Sequence, residues 1–155
     1  MAPPHIRLAT PADTGRISAL SRELIENGLR WRWTPTAVAR SMADLETEVV
    51  VAENDKSFSG FALMRFGESE AHLLLLAVVP EFARQGIGTT LMRWLEKMAV
   101  IAGIERIHLE VRAKNVSAQH FYEALGFERR ASVRGYYQGQ EDAVRMMRAL
   151  SSIPA

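Results

Sequence analysis

The sequence predicts an α/β protein built on one mixed sheet, and three observations carry that expectation. Short β-branched or alternating segments recur along the whole chain, at 6–10, 48–53, 60–66, 71–79, 104–111, 127–137 and 143–150. Four segments with helical apolar spacing interrupt them, each marked by a capping residue or a closing glycine. The fourth strand segment is apolar on both faces after His72, as befits a strand in the middle of a sheet covered on each side. The resulting order is β-α-α-β-β-β-α-β-α-β-β.

Residues 6–10 read as a first strand ahead of Pro11. Thr10 or Asp13 is placed to cap a helix with Ile17, Leu20, Leu24 and Ile25 on one face, ended by Gly28. Thr34 as cap with Pro35 at the first helical position opens a second helix to about Ala43. Asn54, Asp55, Lys56 and Ser57 turn the chain between two strands, and Gly67 to Glu70 turn it again into the apolar fourth. Pro80 breaks that strand. A helix follows from Thr89 to Ala102, with Leu91, Leu95, Met98 and Ala99 on one stripe and Gly103 behind it. In the next strand Ile107, Leu109 and Val111 alternate with Arg106, His108, Glu110 and Arg112. A short helix from Asn115 to Leu125 is closed by Gly126, and residues 138–142 join a final antiparallel pair.

The 155 residues suit a single domain over 1–150 with a short tail at 151–155, and no internal repeat is visible. Hydrophobic content of 48% and charged content of 24% are those of a globular chain, which excludes disordered and collagen-like classes. A net charge of +1 gives no electrostatic case for nucleic acid or membrane, so neither is expected as a partner. The apolar run ending at Pro80 is too short to span a bilayer, and the first residues lack a signal-peptide pattern. Without cysteine there is no disulfide framework, thiolate metal site or cysteine nucleophile, and the cytoplasm is the expected location. His5, His72, His108 and His120 show no metal-ligand spacing in the sequence, so no metal is expected.

The chemistry concentrates after the fourth strand, in Arg84, Gln85, Gly86, Ile87, Gly88 and Thr89. A buried strand, a glycine turn and a helix start recur wherever proteins hold phosphate, because glycine admits close approach and the first helical amides are unpaired. A nucleoside-triphosphate loop needs Lys-Ser/Thr after its last glycine, whereas Thr89 and Thr90 follow Gly88 here. A dinucleotide fingerprint needs a third small residue where Leu91 stands. A plain strand-to-helix turn is the competing reading.

Taken in chain order, further pieces join this loop: Ala77, Val78, Val79 and Pro80 before it, then Leu109 through Arg112 with Asn115, then Phe121 through Phe127, and later Gly135, Tyr136, Tyr137 with Glu141, Asp142, Ala143. Together they resemble the GNAT superfamily of N-acetyltransferases, and more narrowly the branch that acetylates the N-terminal amine of ribosomal proteins. The likeness covers the second half of the chain. One departure is Ala83, which stands where the family pattern begins with Gln or Arg, the basic residue coming one step later as Arg84.

The resemblance implies a fold whose fourth and fifth strands splay apart, and acetyl-CoA as cosubstrate with no metal. Residues implied to hold it are Ala77, Val78, Val79, the loop from Arg84 to Thr89, Asn115 and Tyr122. The Val78 amide is implied to polarise the thioester carbonyl, Tyr122 to act as general acid, and Glu110 as general base through water. Each has a structural alternative: Val78 as core, Tyr122 as packing, Glu110 paired with Arg112, Arg106 or His108, and Asn115 as a helix cap. Trp31, Trp33, Tyr136 and Tyr137 are the implied substrate-binding residues, the tryptophans equally suiting a lid or a dimer contact. The acceptor is expected to be a protein N-terminal α-amine. Alternatives are a small-molecule amine (polyamine, amino acid or aminoglycoside) or a non-catalytic acyl-CoA sensor. Members of this superfamily often pair, so a homodimer is among the expected assemblies.

Overall fold

In the computed structural model, which describes residues 3–150, seven strands form one sheet. They are β1 (His5–Leu8), β2 (Thr47–Asn54), β3 (Ser57–Phe66), β4 (Glu70–Val78), β5 (Arg106–Arg112), β6 (Glu128–Tyr137) and β7 (Glu141–Ala149). Their spatial order is β1-β2-β3-β4-β5-β7-β6. Only β4 and β5 run parallel, and the crossover between them carries a helix, as a parallel connection requires. The expected α/β class and element order hold. The tail at 151–155 lies outside the described residues, and among the described residues no helix is long and apolar enough to cross a membrane.

Four helices cover the two faces: α1 (Thr14–Leu20), α2 (Pro35–Ala43), α3 (Ile87–Ile101) and α4 (Val116–Ala124). Leu91, Leu95 and Ala99 of α3 pack with Ile107, Leu109 and Met146 on one face. Ile17 of α1 and Val38 of α2 pack with Val49, Val51, Phe61 and Leu63 on the other. Thr34 caps α2 as expected, its hydroxyl accepting from the Ala37 amide at 3.3 Å.

Three boundaries differ from expectation, each for a local reason. The first helix stops at Leu20 and widens into a π-helical turn over Ser21–Ile25, where buried Ser21 donates to buried Glu26. Glu26 then accepts from the Arg32 and Trp33 amides, so one carboxylate organises the whole loop to α2. Helix α3 begins at Ile87 rather than Thr89, because Gly86 takes the left-handed backbone (φ 77°) that turns the chain into it. The last hairpin is tighter than expected: Gln138 and Gly139, both left-handed, make the turn, and β7 starts at Glu141.

Two irregularities in the sheet shape the site. Leu75 faces Leu63 and Leu73 faces Met64, which leaves Leu74 as an extra residue in β4. Leu73 therefore joins the α3 core while Leu74 and Leu75 both turn to the α1–α2 core. Both faces of β4 are covered by a core, which is why the segment reads as apolar on both. Parallel pairing with β5 also ends there, at Leu73 opposite Leu109, and from Leu74 onward β4 has β3 alone.

Candidate active site

The gap between β4 and β5 opens into a cleft of about 1090 Å³. One wall is β4 from Leu73 to Val78, and the other is the end of β5 with the first turns of α4. The start of α3 lies at one end, and the close of the α1 segment with Tyr137 and Glu141 at the other.

Main-chain geometry dictates what the β4 wall offers. The Val79 amide donates to Ser59 O at 2.8 Å, so the facing pair Ser59 and Val79 is hydrogen-bonded. Alternation along an antiparallel ladder then makes Val78 opposite Gly60, and Leu76 opposite Ala62, non-hydrogen-bonded positions. Their amides and carbonyls point away from β3, into the gap left by β5. Close approach of β3 and β4 depends on Gly60: a Cβ there would sit 2.8 Å from Ala77 O and 3.3 Å from Ile87 Cγ2.

At the α3 end, Arg84 (φ 63°) and Gly86 are both left-handed, folding the loop over the helix start. The first intrahelical bond runs from the Thr90 amide to Gly86 O at 3.0 Å, so the Ile87, Gly88 and Thr89 amides precede any helical acceptor. Gly88 is closely packed, since a Cβ would stand 3.1 Å from the Phe121 ring, which would have to give way. Above Gly86 there is open space. Glycines, free amides and the Arg84 cation form a cradle suited to a pyrophosphate.

Tyr122 is 8% exposed, with its ring edge-on to Phe121 and Phe127, and it lines the cleft. Burial pushes its phenol well above the ordinary range, so it stays protonated. Packing and cleft-lining thus coexist in one side chain. Asn115 likewise does two things: its Oδ1 accepts from the Ala118 amide at 3.0 Å, and it faces the cleft.

Glu110 lines the cleft from β5 with its side chain 5% exposed. It pairs with none of Arg112, Arg106 or His108. Its Oε1 lies 2.6 Å from His72 Nε2 and accepts from the Tyr136 hydroxyl at 3.0 Å, while Oε2 accepts from Arg145 Nε at 2.8 Å. Burial raises the proton affinity of this carboxyl, but the donors from His72 and Arg145 outweigh it and hold Glu110 at about 2. A carboxylate only accepts, so His72 Nε2 carries a hydrogen. Burial, and then the Glu110 charge, push the Tyr136 phenol up to about 12.

His72 and His108 stand opposite each other on the parallel pair, their rings stacked with centroids 4.8 Å apart. With Glu110 they bring ligand-type atoms within 4.8 Å, a proximity that the sequence spacing did not reveal. Both carboxylate oxygens are engaged by donors, and Arg145 already supplies a positive charge, so the cluster is arranged as a hydrogen-bonded network.

Other expected residues fall outside the cleft lining. Val79 spends its amide on Ser59, and Gln85 is exposed and absent from the cleft lining. Trp31 lies under the Arg22 guanidinium, 4.7 Å from its ring centroid, beside a smaller groove with Gly15 and Ser18. Trp33 packs against the α1–α2 core and accepts at its carbonyl from Ser18 Oγ at 2.7 Å. Of the tyrosine pair, Tyr137 lines the cleft and Tyr136 reaches Glu110.

Tyr136 is positioned by an irregularity of β6. Val133 faces Ala143, yet Tyr137 faces Glu141, so β6 carries extra residues around left-handed Gly135. Two cross-links then close this end. Arg112 Nη1 donates to Ile25 O and Asn27 O at 3.1 and 2.8 Å, and its Nε to Glu141 at 2.9 Å. Gln138 exchanges two hydrogen bonds of 2.9 Å with the Arg30 backbone, joining the β6–β7 turn to the loop before α2.

The model of the acetyltransferase (GNAT) family matches residues 19–127. Over 122 residues the chain is 33% identical to the ribosomal protein bS18-alanine N-acetyltransferase of Escherichia coli (strain K12), spanning 77% of this chain and 82% of that protein. The solved structure of Ard1 from Thermoplasma volcanium matches with a TM-score of 0.86 at 25% identity, covering 97% of this chain and all of that one, 100%. The solved ribosomal-protein-S18-alanine N-acetyltransferase of Escherichia coli matches with a TM-score of 0.82 at 26% identity, covering 98% and 96%.

Proposed function

Because the chain belongs to the acetyltransferase (GNAT) family and is an N-acetyltransferase, we propose that it moves an acetyl group from acetyl-CoA to a protein N-terminal α-amine by direct transfer in a ternary complex. The observation that carries this reading is the opening of β4 from β5, which leaves Val78 unpaired on that side and lining one cleft with Tyr122 and Glu110. Similarity to an alanine N-acetyltransferase over most of both chains supports the choice of acceptor.

Acetyl-CoA supplies an acetyl thioester: the amine nitrogen bonds to its carbonyl carbon, the carbon–sulfur bond breaks, and coenzyme A leaves as a thiol. The Ile87, Gly88 and Thr89 amides with Arg84 would hold the pyrophosphate. The unpaired main-chain groups of Leu76 and Val78 would take the pantetheine arm as β5 takes the first half of β4. Val78 N–H would meet the oxyanion as it forms, an amide fixed by the ladder and needing no rearrangement. Tyr122 would return a proton to sulfur, since burial keeps its phenol protonated.

Magnitudes define the part played by Glu110. A carboxyl held at about 2 is a poor sink for a proton from an α-ammonium titrating near 8, a mismatch of about six units, or roughly 8 kcal/mol. An α-amine is about one-tenth neutral at pH 7 without help, so little basicity is needed. Glu110 would therefore act as a fixed anion that orients the amine, whose proton leaves through water to solvent. The test is coenzyme A release with a panel of N-terminal peptides alongside polyamines and aminoglycosides. Turnover with peptides is expected. Turnover with small amines alone would move the acceptor, and none with any peptide would sink the N-terminal reading.

A further inference from the structure

Three arginines at the acceptor end of the cleft take no part in the transfer chemistry. Arg30 and Arg32 belong to the loop before α2, where they alternate with Trp31 and Trp33. Arg134 stands on β6 beside Gly135, ahead of Tyr136. All three are exposed. The loop and the β6–β7 turn are tied across this end, since the Gln138 side chain exchanges 2.9 Å bonds with the Arg30 backbone. The Arg32 amide donates to Glu26 at 2.7 Å, which fixes its main chain while its side chain stays in solvent. Its guanidinium lies within electrostatic reach of the Tyr136 phenol, which donates to Glu110 at 3.0 Å. With coenzyme A filling the α3 end, an acceptor whose amine lies at Glu110 leads its following residues out past this loop and turn.

The carboxylates of the same end are each already engaged. Buried Glu26 accepts from Ser21 and from two loop amides. Glu110 is held by Arg145, Glu141 by Arg112, and Asp142 accepts from the Gly135 amide at 2.8 Å. Arg112 and Arg145 thus have carboxylate partners, whereas Arg30, Arg32 and Arg134 form no ion pair among the described residues. Nearby, Arg22 and Glu23 flank the smaller groove and offset each other, while Lys114 lines the cleft within reach of Glu141. The rim is therefore positive on a chain whose net charge is only +1. Such a rim repels an incoming ammonium unless the residues behind it carry carboxylates. An extended chain advances about 3.3–3.6 Å per residue, so the first few residues after the amine span the exposed rim.

We propose that the acceptors are protein N-termini with aspartate or glutamate just behind the reacting amine, selected by the Arg30, Arg32 and Arg134 side chains at the rim. This rests on the N-terminal acetyltransferase reading and narrows it to an acidic class of acceptor. The three arginines touch no reacting atom: they set the affinity and encounter rate of the acceptor and leave the transfer step as it is. Exposed charge pairs are individually weak and screened by salt, so the selection comes from three acting together.

The experiment uses three peptides that begin with alanine and differ only at positions two to four, which are all aspartate, all serine or all lysine. Their kcat/KM is measured at low and at high salt for wild type, for Arg32→Glu, and for the triple variant Arg30→Gln, Arg32→Gln, Arg134→Gln. Neighbouring charges shift the α-amine of a peptide, so each variant is compared with wild type on the same peptide. Wild type is expected to favour the aspartate over the serine peptide by about 5- to 10-fold, chiefly through KM, and to lose that preference at high salt. The triple variant should bring the ratio close to one, and Arg32→Glu should use the lysine peptide better than wild type does. Protection of each variant from thermal unfolding by acetyl-CoA reports that it is folded. A triple variant with the wild-type ratio, or a lysine peptide that Arg32→Glu does not improve, would overturn the role of the arginines. So would competitive inhibition by a short single-stranded RNA without any preference among the peptides, which would assign the rim to nucleic acid. A wild type inert toward all three peptides would instead overturn the N-terminal reading beneath it.

Discussion

On the α3 side of the cleft, the unpaired groups are main-chain amides placed by glycines. On the β5 side they are side chains drawn from β4, β5, β6 and β7. The first wall depends on what is absent, a Cβ at Gly60 and at Gly88 and a right-handed backbone at Gly86. The second depends on what meets, Glu110 with His72, Tyr136 and Arg145. Main-chain donors are identical for every sequence, so the cosubstrate wall can stay constant while the acceptor wall varies. Substitutions should therefore separate cleanly into those that abolish cofactor binding and those that retune transfer.

The largest expected effect falls on the first wall. Gly86→Glu puts a strained side chain on a left-handed residue and an anion in the open space proposed for phosphate. Acetyl-CoA affinity should fall by more than about 100-fold, read by calorimetry or by lost thermal protection. If the variant is still protected, the cradle is wrongly placed. Tyr122→Phe separates the walls from the other direction. Turnover should drop about 100-fold while acetyl-CoA binding persists, because only the proton donor is removed from a ring that keeps its packing. Unchanged turnover would remove the acid role.

Gly60→Ala asks how much the cosubstrate wall relies on the bare backbone of β3. The new methyl must displace Ala77 O, a main-chain atom beside Val78 that cannot swing aside. A loss of about 1–3 kcal/mol in unfolding free energy is expected, together with a lower kcat. A variant as stable and active as wild type would show that β4 is free to shift.

The contrast between the walls also explains what could be read before any coordinates. Gly103 and Gly126 are both left-handed, and each sits where local punctuation placed a helix end. The glycine turn into α3 was legible for the same reason, being one short stretch of chain. The Glu110 network was not. Its members lie 38, 26 and 35 residues from Glu110, and only strand order and register bring them together. Arg145 faces Glu110 because β7 enters the sheet between β5 and β6, and His72 faces His108 because β4 and β5 run parallel. No spacing rule encodes either. Trp31 and Trp33 lie off the cleft lining for another non-local reason: buried Glu26 holds the Arg32 and Trp33 amides, Trp31 lies against Arg22, and Trp33 packs on the α1–α2 core.

The acceptor wall should reveal itself in acid. Glu110 is depressed from 4.5 to about 2 in the folded protein, against burial, by His72 and Arg145. A depressed carboxyl stabilises the fold fully above its unfolded value and loses that contribution as pH falls through the folded one. Wild type should therefore lose melting temperature between pH 4.5 and about 2 more steeply than Glu110→Gln. Asp13 and Glu141 are also held low by arginines, so the difference between the two curves, not either curve, isolates Glu110. Parallel curves would mean the network contributes nothing to stability.

The smallest effect tests the rim that holds this wall in place. Gln138 joins the β6–β7 turn to Arg30 by two 2.9 Å bonds in an exposed setting. Gln138→Ala should cost less than about 1 kcal/mol, because water can replace both partners. Its consequence for binding is more selective than for stability. The hairpin carries Tyr136 and Tyr137, one bonded to Glu110 and one lining the cleft, whereas the Gly86 cradle lies at the opposite end. Releasing the turn should raise the KM for the peptide acceptor and leave the KM for acetyl-CoA where it was. Equal changes in both constants would show that the two walls are mechanically one, and the division between main-chain and side-chain construction would then have no functional meaning.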